Sequence, residues 1–163
     1  MRNSLKTLLV ASLLTAGACG GSEGKDLSRF TGIWSPTAGT QTTSCGGQSS
    51  TTSPITDSVT WSLGSSSDLI QPVFSQTSCI LHADVDGDTA SVVGTTTCTI
   101  PSTDYYGYAV NNTVTLTAYT FALSADGKTA TENLSGSILA TDSGTGTSTS
   151  CAFSETAGSY QRQ

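Results

Sequence analysis

Large apolar side chains recur at every second residue along most of this chain, and that period admits strands and little else. Ile55, Val59, Trp61 and Leu63 share one parity of 55–63. Cys79, Leu81, Ala83 and Val85 share one of 78–85, with His82 and Asp84 on the other, and Val92, Cys98 and Ile100 share one of 89–100. Successive side chains of a strand point to opposite faces, so each set marks a strand with one buried face. In 112–118 the face is Val114, Leu116 and Ala118, but the large residues then change parity at Tyr119, Phe121 and Leu123. A slip of one residue turns every side chain over, so the economical reading is a β-bulge near Ala118–Tyr119. Further strands are read near 29–36, 39–46, 67–74, 130–140 and 146–160.

Composition agrees with the period. Thr (29 residues) and Ser (26) make up about a third of the 163 residues, and Thr favours strands. A single Met and little Ala–Leu–Glu–Lys periodicity argue against a helix bundle or coiled coil. Asp86-Gly87-Asp88-Thr89-Ala90 and Asp126-Gly127-Lys128-Thr129-Ala130 repeat D-G-x-T-A forty residues apart. Asp-Gly supplies the positive-φ residue of tight hairpin turns, so these are two similar turns rather than a functional repeat. Only 101–111 (PSTDYYGYAVN) reads as a longer, aromatic loop. The expectation is an all-β, antiparallel up-and-down meander of eight or nine strands closing into a small barrel, with a β-sandwich as the alternative.

The first residues read as an address. Arg2 and Lys6 precede the apolar run 7–16, and Gly17, Ala18 and Cys19 follow. A basic start, a short apolar stretch and small residues at the cut site make 1–18 a secretory signal peptide. The run is too short for a stable membrane span. The cysteine directly after Ala-Gly-Ala resembles a bacterial lipoprotein signal, although Ala16 stands where Leu is usual. That resemblance implies lipidation at Cys19, an exported protein, and the outer membrane, because Gly20 is not the Asp that retains lipoproteins at the inner membrane. The bland alternative is an ordinary signal peptide that leaves Cys19 as an odd thiol. Residues 19–28 then form a flexible tether and 29–163 the folded domain. Without Arg2 and Lys6 the chain keeps four basic side chains against twelve acidic ones, a balance of −8. Anionic lipid repels such a domain, so the lipid must do the anchoring.

Four cysteines remain, an even number that reads as two disulfides in an exported domain. Cys79 and Cys98 flank the first Asp-Gly turn, nearly opposite one another on paired strands. Cys45 and Cys151 then pair by elimination and join an early strand to the last, which favours the barrel.

Few residues suggest chemistry. The acidic balance argues against nucleic acid. One His and no CxxC argue against zinc, and no cofactor is indicated. Asp84, Asp86 and Asp88 alternate like a calcium loop, but Thr89 and Thr95 occupy the positions where an EF-hand needs Gly and Glu. His82 shares an outward face with Asp84, no G-x-S-x-G elbow accompanies it, and neither a paired-carboxylate nor a phosphate-loop signature is apparent. No catalytic residue is therefore assigned. Tyr105, Tyr106 and Tyr108 cluster in the long loop, where they either recognise a small molecule, glycan or protein or fold back to cap the barrel.

Gly32-Ile33-Trp34 on the first strand is a G-x-W that resembles the opening of lipocalins and similar small bacterial barrels, which implies a Trp plugging one end. The whole chain resembles small Ser/Thr-rich lipoproteins of myxobacterial type. The resulting expectation is a non-enzymatic, lipid-anchored envelope domain with a structural or binding role. An inhibitor of exported proteases is the alternative. Cys19→Ser should abolish lipid labelling and membrane retention, as read by metabolic labelling and fractionation.

Overall fold

The computed structural model describes residues 25–46, 48–73, 76–103 and 107–163. The stretch 1–18 read as a signal peptide, Cys19, Tyr105 and Tyr106 lie outside the described residues. A 3-10 turn (Leu27–Arg29) leads into ten strands: β1 (Gly32–Cys45), β2 (Thr51–Pro54), β3 (Val59–Leu63), β4 (Leu69–Val73), β5 (Gln76–Asp86), β6 (Thr89–Val92), β7 (Thr96–Thr103), β8 (Ala109–Leu123), β9 (Thr129–Asp142) and β10 (Ser148–Arg162). All pairings are antiparallel. The hydrogen-bonded order runs β10-β9-β8-β6-β5-β4-β3-β1, and β1 returns to β10, so eight strands form a closed ring. This is the expected meander, and the ring is compatible with a barrel or a sandwich.

The strands differ in detail from the alternation. The two stretches read as 29–36 and 39–46 are one strand, β1, with register shifts at Pro36/Ala38 and Ala38/Thr40. Gly39 allows them: its φ is +127°, and a Cβ there would lie 2.7 Å from the Gly158 Cα of the neighbouring strand. The stretch read as 55–63 shortens to β3, and Leu63, assigned to the inner face, is 62% exposed. The long loop is also shorter than expected, because 101–103 and 109–111 join the β7–β8 hairpin. The bulge of β8 lies one residue before the expected place: Leu116 faces Gly136 and Ala118 faces Ser135, leaving Thr117 as the extra residue. Val114 and Leu116 before it, and Tyr119, Phe121 and Leu123 after it, are then all buried.

Both cysteine pairings read from the sequence are present, and disulfides are compatible with an exported protein. Cys45 and Cys151 are register partners of β1 and β10. Cys79 and Cys98 do not lie on paired strands, contrary to expectation. β5 bonds to β6 over 83–86, whereas Cys98 is on β7, which bonds to β8. β6 and β7 lie end to end along β8, with Gly94 at φ +75° between them. The disulfide therefore ties β5 to the strand line where their hydrogen bonds have stopped.

One end of the ring is filled by Phe30, Trp34, Trp61, Phe121 and Tyr160, all at most 2% exposed. Trp34 packs edge-on to Phe121 at 5.2 Å and donates its indole N–H to the Phe30 carbonyl at 2.7 Å. Arg162 lies over the Trp34 ring and donates to the carbonyls of Ser28 and Thr31. Leu27 packs against the core and Lys25 pairs with Asp68 at 2.7 Å. The last residues of the stretch read as a tether are thus docked on the domain. Burying each of these aromatic groups contributes about 2–3 kcal/mol.

In the chain-entropy model the Cys45–Cys151 bridge stabilises by about 1.5 kcal/mol more than Cys79–Cys98, because it closes the longer loop. Replacing Cys45 and Cys151 together should accordingly lower the melting temperature further. Replacing Cys79 and Cys98 should instead speed amide exchange in β7 selectively, since no ladder backs the bridge there; uniform exchange in that variant would contradict this account.

Candidate functional site

β4 carries Pro72, which has no N–H to donate, and the β3–β4 ladder is confined to Ser62–Ile70 and Leu63–Leu69. Beside it, the strand line facing β1 is broken between β2 and β3 at 55–58. These two interruptions leave a cavity of about 200 Å³ entering the ring. Exposed Pro54, Thr56, Asp57 and Ser58 stand at its rim. Val73, Leu81, Leu116 and Phe153 supply buried apolar wall.

Five polar side chains from four strands meet inside: Gln71 of β4, Tyr119 of β8, Glu132 of β9, and Glu155 and Tyr160 of β10. Glu132 is 2% exposed and Glu155 6%. Glu132 follows the inward parity of Ala130 on β9, and Glu155 that of Phe153 on β10. On β10 a second bulge, between Glu155 and Gly158, then resets the parity so that Tyr160 is buried as well. Ala157 occupies this bulge at φ +53°, and its N–H donates to Asn133 Oδ1 at 2.9 Å. Gly158 makes room for the carboxyl group, because a Cβ there would overlap Glu155 Oε1. Bulges on both neighbours of β9 therefore flank the buried carboxylates, a device that re-aims side chains.

The Tyr119 hydroxyl contacts Glu132 Oε1 and lies 3.0 Å from Gln71 Oε1. Its single proton serves one acceptor at a time. Tyr160 donates to Glu155 Oε1 at 3.3 Å, and Glu132 is near enough to act on the Glu155 carboxyl. Burial, and then the charge of Glu132, push the Glu155 carboxyl up to about 8, against the opposing Tyr160 hydrogen bond. Burial and Glu132 likewise raise both phenols. At neutral pH Glu155 accordingly carries a proton. Two adjacent buried carboxyl groups resist double ionisation.

The residues singled out by sequence lie elsewhere. Tyr108, 61% exposed, is in the β7–β8 connection and does not line the cavity. His82 is exposed on β5, as expected, with Nδ1 3.1 Å from Ser67 Oγ. Asp88 pairs with Arg29, and Asp84 accepts from the Asp68 N–H, so these acids act separately. The glutamate pair went unread because its members are 23 residues apart, with no motif between them. The available signal was a Glu on the apolar parity of each of two strands. Comparison with protein-family models, curated proteins and solved structures gives no match.

The raised Glu155 has a definite sign. Its folded-state pKa of about 8 exceeds its ordinary 4.5, so folding takes up a proton between these values and stability declines as pH rises through that window. Asp68, Asp126 and Asp142 are held below 3.8, chiefly by hydrogen bonds from Lys25, Ser124 and the Thr145 amide respectively. Their contribution is lost as pH falls through that region. Denaturant unfolding should therefore show greatest stability near pH 4–5, and Glu155→Gln should flatten the decline toward pH 8.

Proposed function

We propose that this protein is an exported, lipid-anchored binding module of the bacterial cell envelope that holds a small molecule in the cavity of its strand ring. The observation carrying the binding role is the cavity of about 200 Å³ with apolar walls and convergent polar groups. Ligand sites combine such walls with a few placed polar side chains. A dry cavity of about 150 Å³ accommodates benzene, so this one suits a single ring with a short polar arm. The anchoring half of the reading rests on the Arg2–Cys19 address and on the two disulfides. The binding role is non-enzymatic: it requires a held ligand and no transferred group.

Leu134, half-buried at the cavity wall, gives a direct test. In NMR titrations of the mature protein, single-ring probes should shift the signals of Val73, Leu116 and Phe153. Leu134→Trp should fill the space and weaken probe binding at least tenfold without unfolding the protein. Shifts confined to the outer surface would overturn the binding role.

A further inference from the structure

We propose that the ligand is a small organic cation, an ammonium group on a single-ring-sized apolar body, with its nitrogen seated between the Glu132 and Glu155 carboxyl groups. This rests on the cavity being a binding site and names what the site selects.

Three independent features lead there. First, no basic residue lines the cavity among the described residues: its charged lining residues are Asp57, Glu132 and Glu155. The basic side chains of the described residues lie elsewhere, with Lys25 and Arg29 in ion pairs, Arg162 over Trp34, and Lys128 in the β8–β9 turn. Buried acids normally have a cationic partner or a metal, and here a proton on the pair stands in for one. Second, both phenolic protons of the site are already engaged: the Tyr119 hydroxyl faces Glu132 and Gln71, and Tyr160 donates to Glu155. An ammonium brings three donors and no acceptor. Third, Tyr119, Phe153 and Tyr160 line the same space, and aromatic faces attract cations in desolvated sites. A bare calcium ion fits poorly, since it needs six to eight oxygens and the walls are largely apolar.

The ammonium takes the place of the proton on Glu155, so binding at neutral pH releases that proton. Glu155 meets Glu132 from β9 and Tyr160 from its own strand, its charge reaches Tyr119 of β8, and Gln71 of β4 and, at the rim, Asp57 line the same cavity. With Glu155 titrating at about 8, the competent pair becomes about tenfold more abundant from pH 6 to pH 7.

The test is calorimetric or NMR titration of the mature protein with benzylamine, benzyl alcohol and benzoate, which share one ring and differ in charge. Benzylamine should bind at least tenfold more tightly than benzyl alcohol, and benzoate more weakly than either. Benzylamine affinity should rise about tenfold from pH 6 to pH 7, while that of the alcohol stays flat. In the E132Q/E155Q double variant the amine preference should fall to within about twofold. Equal binding of amine and alcohol, or an amine affinity independent of pH, overturns the cation proposal and leaves the cavity a binding site. Failure of all three probes overturns that underlying reading as well. The wild-type panel and pH profile decide the matter even if the double variant does not fold.

Discussion

Hydrogen bonding between β1 and β10 along nearly all of β1 converts a meander with two free edges into a closed wall. Ten register pairs, from Trp34–Arg162 to Cys45–Cys151, join the start of the domain to its end. Exposed edges invite pairing with other chains, and closure removes two of them. Closure also defines an inside. Once the ring exists, each inward position must be filled by side chain or left as cavity. The Phe30–Trp34–Trp61 end is filled, while the side near β4 is left partly open.

A closed ring conflicts with strict alternation, and bulges absorb the conflict. Thr117 in β8 and the Thr156–Ala157 step in β10 each reverse the parity of a long strand. Without the first, Tyr119 and Phe121 would face solvent; without the second, Tyr160 would. Both occur beside β9, the β10 bulge opposite Glu132–Leu134 and the β8 bulge opposite Ser135–Gly136. The two tyrosines of the polar interior, Tyr119 and Tyr160, are thus placed by the same irregularities that complete the aromatic core.

The buried glutamates oppose the thermodynamics of that core. Apolar substitutes of similar volume would stabilise such a site, because ionised carboxylates are costly to desolvate. Keeping one proton on the pair lowers this cost and ties stability to pH. Groups whose titration is displaced in this way cluster at functional sites, and that association makes the cavity, rather than the tyrosine-bearing hairpin, the place to seek a ligand.

Much of the architecture was legible in the residues. Alternation identified the strands, Asp-Gly located two turns, the parity change at Tyr119 announced a bulge, and cysteine spacing led to both disulfides. These are local signals, because side-chain period and turn conformation depend on neighbours within a few residues. The joining of two expected strands into β1, the β5–β7 placement of Cys79–Cys98 and the exposure of Leu63 depend on which strands meet across the ring. The cavity depends on this still more strongly. Gln71, Tyr119, Glu132, Glu155 and Tyr160 come from four strands, and nothing in their spacing brings them together. The chain alone determined that it forms strands with one apolar face. Only the β9–β10 register decided where two inward-facing glutamates would meet, because their separation is set by the bulge between Glu155 and Gly158 and by interstrand pairing rather than by distance along the sequence; ring closure then made the face they share an interior.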